Sequence, residues 1–281
     1  MQSVYSGYLK MADKFEKGNL VSKMCKITYR LDTDYSVLLE KYRLNEIAGE
    51  GTDYDRARRM LSWQAEHIVH EAKYDGHVQN TAMSLFEYAL DTGAGINSRS
   101  LSLSLTECLL AVGLKSRVIY MYPGSPYQCD NHVVCEVWMK ELNKWVMVDP
   151  TYNSVVLDKN NVPLNILEIR TALADLEPLH LEEGFHYNGQ VAQEDDILQH
   201  YAKNMFWFSV FTIQGCIEEN TPYILPITIA PKGYDAKRFL LGNIEYRIQR
   251  WGAKKAYLDW KAGIENGQKI YRDFSILYGN N

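Results

Sequence analysis

Between Gly93 and Asn153 the apolar positions change rhythm twice. Leu101, Leu105, Cys108, Leu109 and Val112 recur at helical spacing, so residues 98–112 predict one amphipathic helix. Gly113 stops it, and Arg117–Tyr122 then reads as a strand. Farther on, Val133, Cys135 and Val137 alternate with His132, Val134, Glu136 and Trp138. That is the two-residue period of a strand, with His132, Glu136 and Trp138 on one face. Residues 140–143 (KELN) form a polar turn, and Trp145–Asp149 is the return strand, ended by Pro150. If 140 pairs with 143, Asp149 falls opposite Val134, on the face of His132 and diagonal to it.

The flanking pattern is more mixed. Val37–Arg43 reads as a helix, and Thr52 or Asp53 caps a second helix over 54–72, with Ala57, Met60, Leu61, Ala65 and Ile68 on its apolar stripe. Trp63, His67 and His70 lie on that span. Asp75-Gly76-His77 is a turn, and Thr81–Leu90 a short helix. Beyond Asn153, helices are expected over Asn165–Ala174 and Asp195–Phe211, the second with Ile197, Leu198, Tyr201 and Met205 on one stripe. Strands are expected at Tyr223–Ile229, Phe239–Leu241, Ile244–Arg250 and Ala256–Trp260. This divides the chain into a segment 1–50 packed on the core, a core 51–155, and a helical and β extension 156–281 that is not independent.

Composition narrows the function classes. The 281 residues are 46% hydrophobic and 23% charged, the proportions of an ordinary globule with a sizeable core. A net charge of −5 gives no nucleic-acid footprint, and no apolar run approaches the ~20 residues of a membrane span. Five scattered cysteines without a C-x-x-C pair suggest neither a disulfide framework nor a zinc site. The first residues lack the apolar core of a signal peptide, so the cytoplasm is the default location, with a removed leader still open.

Ser98 opens the helix, His132 stands on a strand, and Asp149 is within reach of the histidine. A histidine held by a carboxylate and facing a helix N-terminus is the layout of a nucleophile–base–orienter triad. Taken singly, each residue has a plainer role: helix cap, half-buried histidine, turn residue. The order G-x-N-S-R-S, helix, GLKSR, NHVVCEVW, KWVMVDPT resembles the transglutaminase-like family of papain-fold thiol enzymes over roughly residues 55–153. The resemblance implies an α+β, papain-like fold, here with a C-terminal β-rich extension. It also implies acyl transfer through a covalent thioester: His132 as general base and acid, Asp149 as its orienter, no cofactor, and a peptide, protein or amide as substrate. Hydrolysis is favoured over cross-linking, because no calcium-loop pattern of spaced carboxylates appears.

One position departs from the family. Its cysteine lies fifteen residues before the glycine of the G-[IL]-x-x-R segment, which is position 98, and position 98 is serine. A thiol there is lowered well below its usual pKa of ~8.5 by the helix dipole and an imidazolium, whereas a hydroxyl gains far less. Three readings follow: an engineered Cys-to-Ser form, a natural non-catalytic relative that binds peptide, or a working serine enzyme. Cys108, Cys129 and Cys135 are poor substitutes, being on the buried stripe, in a loop and on the strand face away from His132. Gln79 is a candidate oxyanion donor or a loop residue; Asn97 and Arg99 flank the nucleophile position; Trp138 and Tyr152 are candidate cleft walls or core. EHIVHE at 66–71 places two histidines one helical turn apart, but matches no zinc-hydrolase spacing, and a solvated helix face is the plainer account.

Overall fold

The computed structural model describes residues 4–12, 15, 26–125, 128, 131–215 and 226–278. The first part of the chain is mainly helical: α1 (Val4–Met11), a short β1 (Thr28–Tyr29), then α2 (Ser36–Tyr42), α3 (Leu44–Ala48), α4 (Asp53–His67) and α5 (Ala82–Thr92). Helix α4 starts where a reciprocal cap permits. The Thr52 side chain accepts from the Asp55 backbone N–H, and the Asp55 carboxylate accepts from that of Thr52. Such a cap is worth about 1 kcal/mol.

Helix α4 ends at His67, five residues short of the expected 72. Ile68 turns extended and stays buried, and the next residues leave to pair with the segment before the following helix. Ile96 donates to the Val69 carbonyl (3.0 Å), and Glu71 donates to that of Ile96 (2.9 Å). Gly95 allows this approach, since a Cβ there would lie 2.6 Å from Glu71 Cβ and 2.9 Å from Val69 O. His70 is therefore off the helix, and the two histidines of EHIVHE do not share a helical face.

The expected core elements follow: α6 (Ser98–Ala111), β2 (Ser116–Tyr122), β3 (His132–Met139), β4 (Lys144–Asp149) and β5 (Ser154–Asp158). Strands β2 to β5 form an antiparallel meander, and Cys135 pairs with Val148, which puts Asp149 opposite Val134 as the turn at 140–143 predicts. Val137, Val146 and Val148 pack with α4, α5 and α6 on one face of the sheet. Val134, Met147 and Met121 pack with two later helices on the other, α7 (Ile166–Asp175) and, after β6 (Leu179–Leu181), α8 (Glu194–Asn204).

After α8 the expectations need correction. The helix stops at Asn204 instead of continuing to Phe211, because Trp207, Phe208 and Val210 belong to a buried strand, β7 (Trp207–Val210), hydrogen-bonded along β2. The β-rich extension is mostly helical: β8 (Ile213–Gln214) and β9 (Ile227–Ile229) precede α9 (Ala236–Trp251), α10 (Lys255–Gly267), β10 (Ile270–Tyr271) and α11 (Ser275–Tyr278). Ile244 and Ile248 fit both a two-residue and a helical period, and Phe239 and Leu240 extend the helical one into the core. Of the expected strand at 223–229, residues 223–225 lie outside the described ones. The described strands of the main sheet run β10-β9-β7-β2-β3-β4-β5-β6, so strands of the extension flank the meander on both sides.

A buried ion pair ties the last residues to the meander. Arg117 on β2 donates through Nε (3.0 Å) and Nη2 (2.6 Å) to Glu136 Oε2 on β3. The other carboxylate oxygen accepts from the Ile166 N–H (2.9 Å) and the Tyr278 hydroxyl (2.7 Å). Arg117 also donates to the Leu277 carbonyl, and its guanidinium lies 3.9 Å from the centroid of the Trp145 ring.

Candidate active site

Helix α6 begins at Ser98 because Asn97 caps it. Asn97 Oδ1 accepts from the Ser100 N–H (3.0 Å), and its Nδ2 donates to the Tyr74 carbonyl (3.1 Å), which fixes the helix start to the preceding loop. The helix then runs alongside β3 in the same direction. Ser102 Oγ donates to the Val133 carbonyl (2.8 Å), Cys135 Sγ donates to the Ser102 carbonyl (3.2 Å), and one turn later Thr106 Oγ1 donates to Cys135 Sγ (3.3 Å). Ser98, one turn before Ser102, is half-buried and level with the start of β3. The N–H groups of a helix's first turn have no intrahelical acceptor and face the positive end of the dipole, so those of Ser98 and Arg99 are suited to an anion.

His132 is the first residue of β3. Its Nε2 lies 2.6 Å from Asp149 Oδ2, and because a carboxylate only accepts, that nitrogen carries the proton. Nδ1 is then the nitrogen left for a reacting group. Oδ2 also accepts from the Tyr201 hydroxyl (2.8 Å), and Oδ1 accepts from the Thr151 N–H (2.8 Å). Burial pushes the Asp149 carboxyl up, but the His132 charge and the hydrogen bonds from His132, Tyr201 and Thr151 outweigh it and hold it below its ordinary value. The pair lies on the sheet face that carries α8, while the body of α6 covers the other face. Among the described residues no hydrogen bond joins Ser98 to His132.

The Transglutaminase-like superfamily profile matches residues 41–150, which include Ser98, His132 and Asp149. Over that span the chain is similar to the transglutaminase-like superfamily. No curated protein matches the chain. Two solved structures are similar: the crystal structure of a TGase (12% identity, TM-score 0.30, covering 42% of this chain and 33% of that one) and a protein from Cytophaga hutchinsonii described as a candidate cysteine protease (15% identity, TM-score 0.33, 57% and 54%). The chain thus spans about a third and about half of the lengths of these structures. Both global likenesses are low.

Around this core the other candidates separate. Tyr152 stands at the site, its ring 5.8 Å from that of His132. Asn97 is a helix cap. Gln79 is exposed in the loop before α5 and accepts from the Thr81 N–H through its backbone carbonyl. Arg99 is exposed beside the helix start. Trp138 is on the face of His132 but at the far end of β3, edge-on to Trp145, so it does not wall the cleft. Cys108 and Cys135 are buried, and burial pushes both thiols up, Cys135 to about 12. Cys129 lies outside the described residues.

Four further aromatic side chains, His70, Tyr187, His200 and Tyr201, extend the cluster around His132 and Tyr152. His200 meets the His132 ring edge-on at 4.8 Å, and Tyr201 lies at 6.0 Å. The Tyr187 ring lies 5.8 Å from that of Tyr152 and tilted to it, with its hydroxyl 3.0 Å from His70 Nδ1. Burial and the nearby charge of His132 push the His70 imidazole down, with partial opposition from Asp149. Among the described residues no group of three or more His, Cys, Asp or Glu side chains is arranged to hold a metal ion, and no helix is long and apolar enough to cross a membrane.

Proposed function

We propose that this chain is an acyl-transfer protein of the transglutaminase-like type, acting on the amide bonds of peptides or proteins, with residue 98 as nucleophile, His132 as base and acid, and Asp149 as orienter. The observation that carries the reading is the buried His132–Asp149 pair, its carboxylate held by three donors. In this reading the atom at position 98 attacks the carbonyl carbon as its proton passes to His132 Nδ1. The oxyanion is met by the N–H groups at the helix start. The C–N bond then breaks, the amine departs with the proton from the imidazolium, and water releases the acyl group.

With Ser98 the intermediate is an ester and the attacking group a hydroxyl that stays protonated at rest. The Ser98→Cys form should hydrolyse amides faster by several orders of magnitude, about 4 kcal/mol or more of barrier. Its thiol should also react with iodoacetamide at mildly acid pH ahead of the native cysteines. Peptide-map mass spectrometry after brief alkylation, with turnover on peptide and amide panels, tests both. The hydroxyl at position 98, unbonded to His132, favours one rival: a cleft that holds peptide without cleaving it. An introduced thiol that labels no faster than the native cysteines, in a form inactive on every panel, would establish that rival instead.

A further inference from the structure

We propose that Tyr201, on α8 and beyond the residues that match the transglutaminase-like profile, is a positioning residue of the active site: its hydroxyl fixes the Asp149 carboxylate against His132. The inference rests on the catalytic reading of His132 and Asp149. Its evidence is geometric. Tyr201 is fully buried, and its hydroxyl donates to Oδ2, the same oxygen that accepts from His132 Nε2. With its one proton committed there, the hydroxyl must accept in its contact with Ser154 Oγ (2.8 Å). Ser154, the first residue of β5 and also fully buried, is therefore the donor that orients the phenol. The chain of donors runs Ser154 to Tyr201 to Asp149, and the carboxylate is the common end of this relay and of the imidazole N–H.

Packing alone would not require this. A phenylalanine would fill the same stripe of α8 beside Ile197, whereas the buried hydroxyl is bonded on both sides. The hydroxyl does two things. It stops the carboxylate rotating out of line with Nε2, together with Thr151 on Oδ1. It also draws charge from Oδ2, so that the carboxylate stabilises the imidazolium less than an unshared one would. The charged or titratable groups around the His132 ring are Asp149 from β4, Glu136 on its own strand and already paired with Arg117, Tyr152 after β4, His200 and Tyr201 from α8, and His70 beyond α4. The Tyr201 hydroxyl bonds the carboxylate oxygen that His132 uses, so its removal can be read on His132 directly. The extension thereby supplies part of the site.

The test is a histidine NMR titration of the full Ser98 chain, with the His132 resonance assigned by its loss in His132→Gln. Tyr201→Phe keeps the ring and removes the donor, and should move the His132 resonance's titration to higher pH. Ser154→Ala, which weakens the donor one step back, should shift it in the same direction by less, and decides the matter if Tyr201→Phe does not fold. A lower melting temperature with an unmoved His132 titration would overturn the proposal and leave Tyr201 as packing. In the Ser98→Cys background, the alkaline limb of kcat/KM should move upward with Tyr201→Phe. A Ser98→Cys form without activity, beside a shifted NMR titration, would refute the acyl-transfer reading while leaving the positioning role intact.

Discussion

Glu136→Gln is the substitution whose cost can be worked most fully from the structure. The carboxylate takes four hydrogen bonds, two from Arg117 on one oxygen and one each from Ile166 N–H and Tyr278 on the other. Both members of the ion pair are almost wholly buried, with side-chain exposures of 1% and 0%. Glutamine has one oxygen and one NH2, so in either orientation two of the four donors meet another donor, and Arg117 keeps its charge without a counter-ion. Breaking a buried pair from one side costs about 3–5 kcal/mol, against a total stability for a typical domain of about 5–15 kcal/mol. Urea unfolding of the full chain at neutral pH should show the midpoint falling accordingly. Replacing both partners by apolar residues, Arg117→Met with Glu136→Leu, should cost less than the single change, because no lone charge remains. A loss below about 1 kcal/mol for Glu136→Gln would put the pair in the class of surface ion pairs and refute the reasoning.

Two further outcomes can be checked alongside. Asn97→Ala should lower stability by about 1–2 kcal/mol in urea unfolding, because the helix loses its cap and the link to Tyr74, and in the Ser98→Cys form thiol labelling should slow as the helix start frays. Asp149 is held below its ordinary carboxylate pKa, so it contributes stability above the unfolded-state value that is lost as pH falls through the lower folded one. Thermal melts of Asp149→Asn and the parent should therefore differ most near neutral pH and converge in acid; a gap that does not narrow would contradict the assignment.

The meander was legible because its signals agree. A polar turn at 140–143 fixes the register, alternation fixes the faces, and together they place Asp149 beside His132. Alternation says nothing about distance along a strand, however. Trp138 shares the face of His132, yet six residues separate them, roughly 20 Å of extended chain. The helix over 54–72 was overextended because Ile68 continues its apolar stripe, while the contact that unwinds the chain at Val69–Glu71 comes from residues some 25 positions later. At Ile244–Arg250 the local pattern fits two periods, and burial of Phe239 and Leu240 selects the helix. Tyr201 was read as part of an apolar stripe, which it is. Its bond to a carboxylate 52 residues earlier has no local signature.

The order of strands in the sheet has a consequence for synthesis. Strand β2 emerges with β3, β4 and β5 close behind, but its other neighbour, β7, comes some ninety residues later. Until then the backbone groups along Tyr120–Tyr122 that will pair with Trp207–Ser209 have no strand partner on that side. An apolar strand edge left open in a growing chain is a template for pairing with another chain. The delay also makes this pairing non-local and hence a slow step of folding. A ribosome carrying the meander alone thus holds a sheet whose β2 edge stays exposed far longer than its β5 edge, and a chaperone that shields apolar strands would have its longest engagement there.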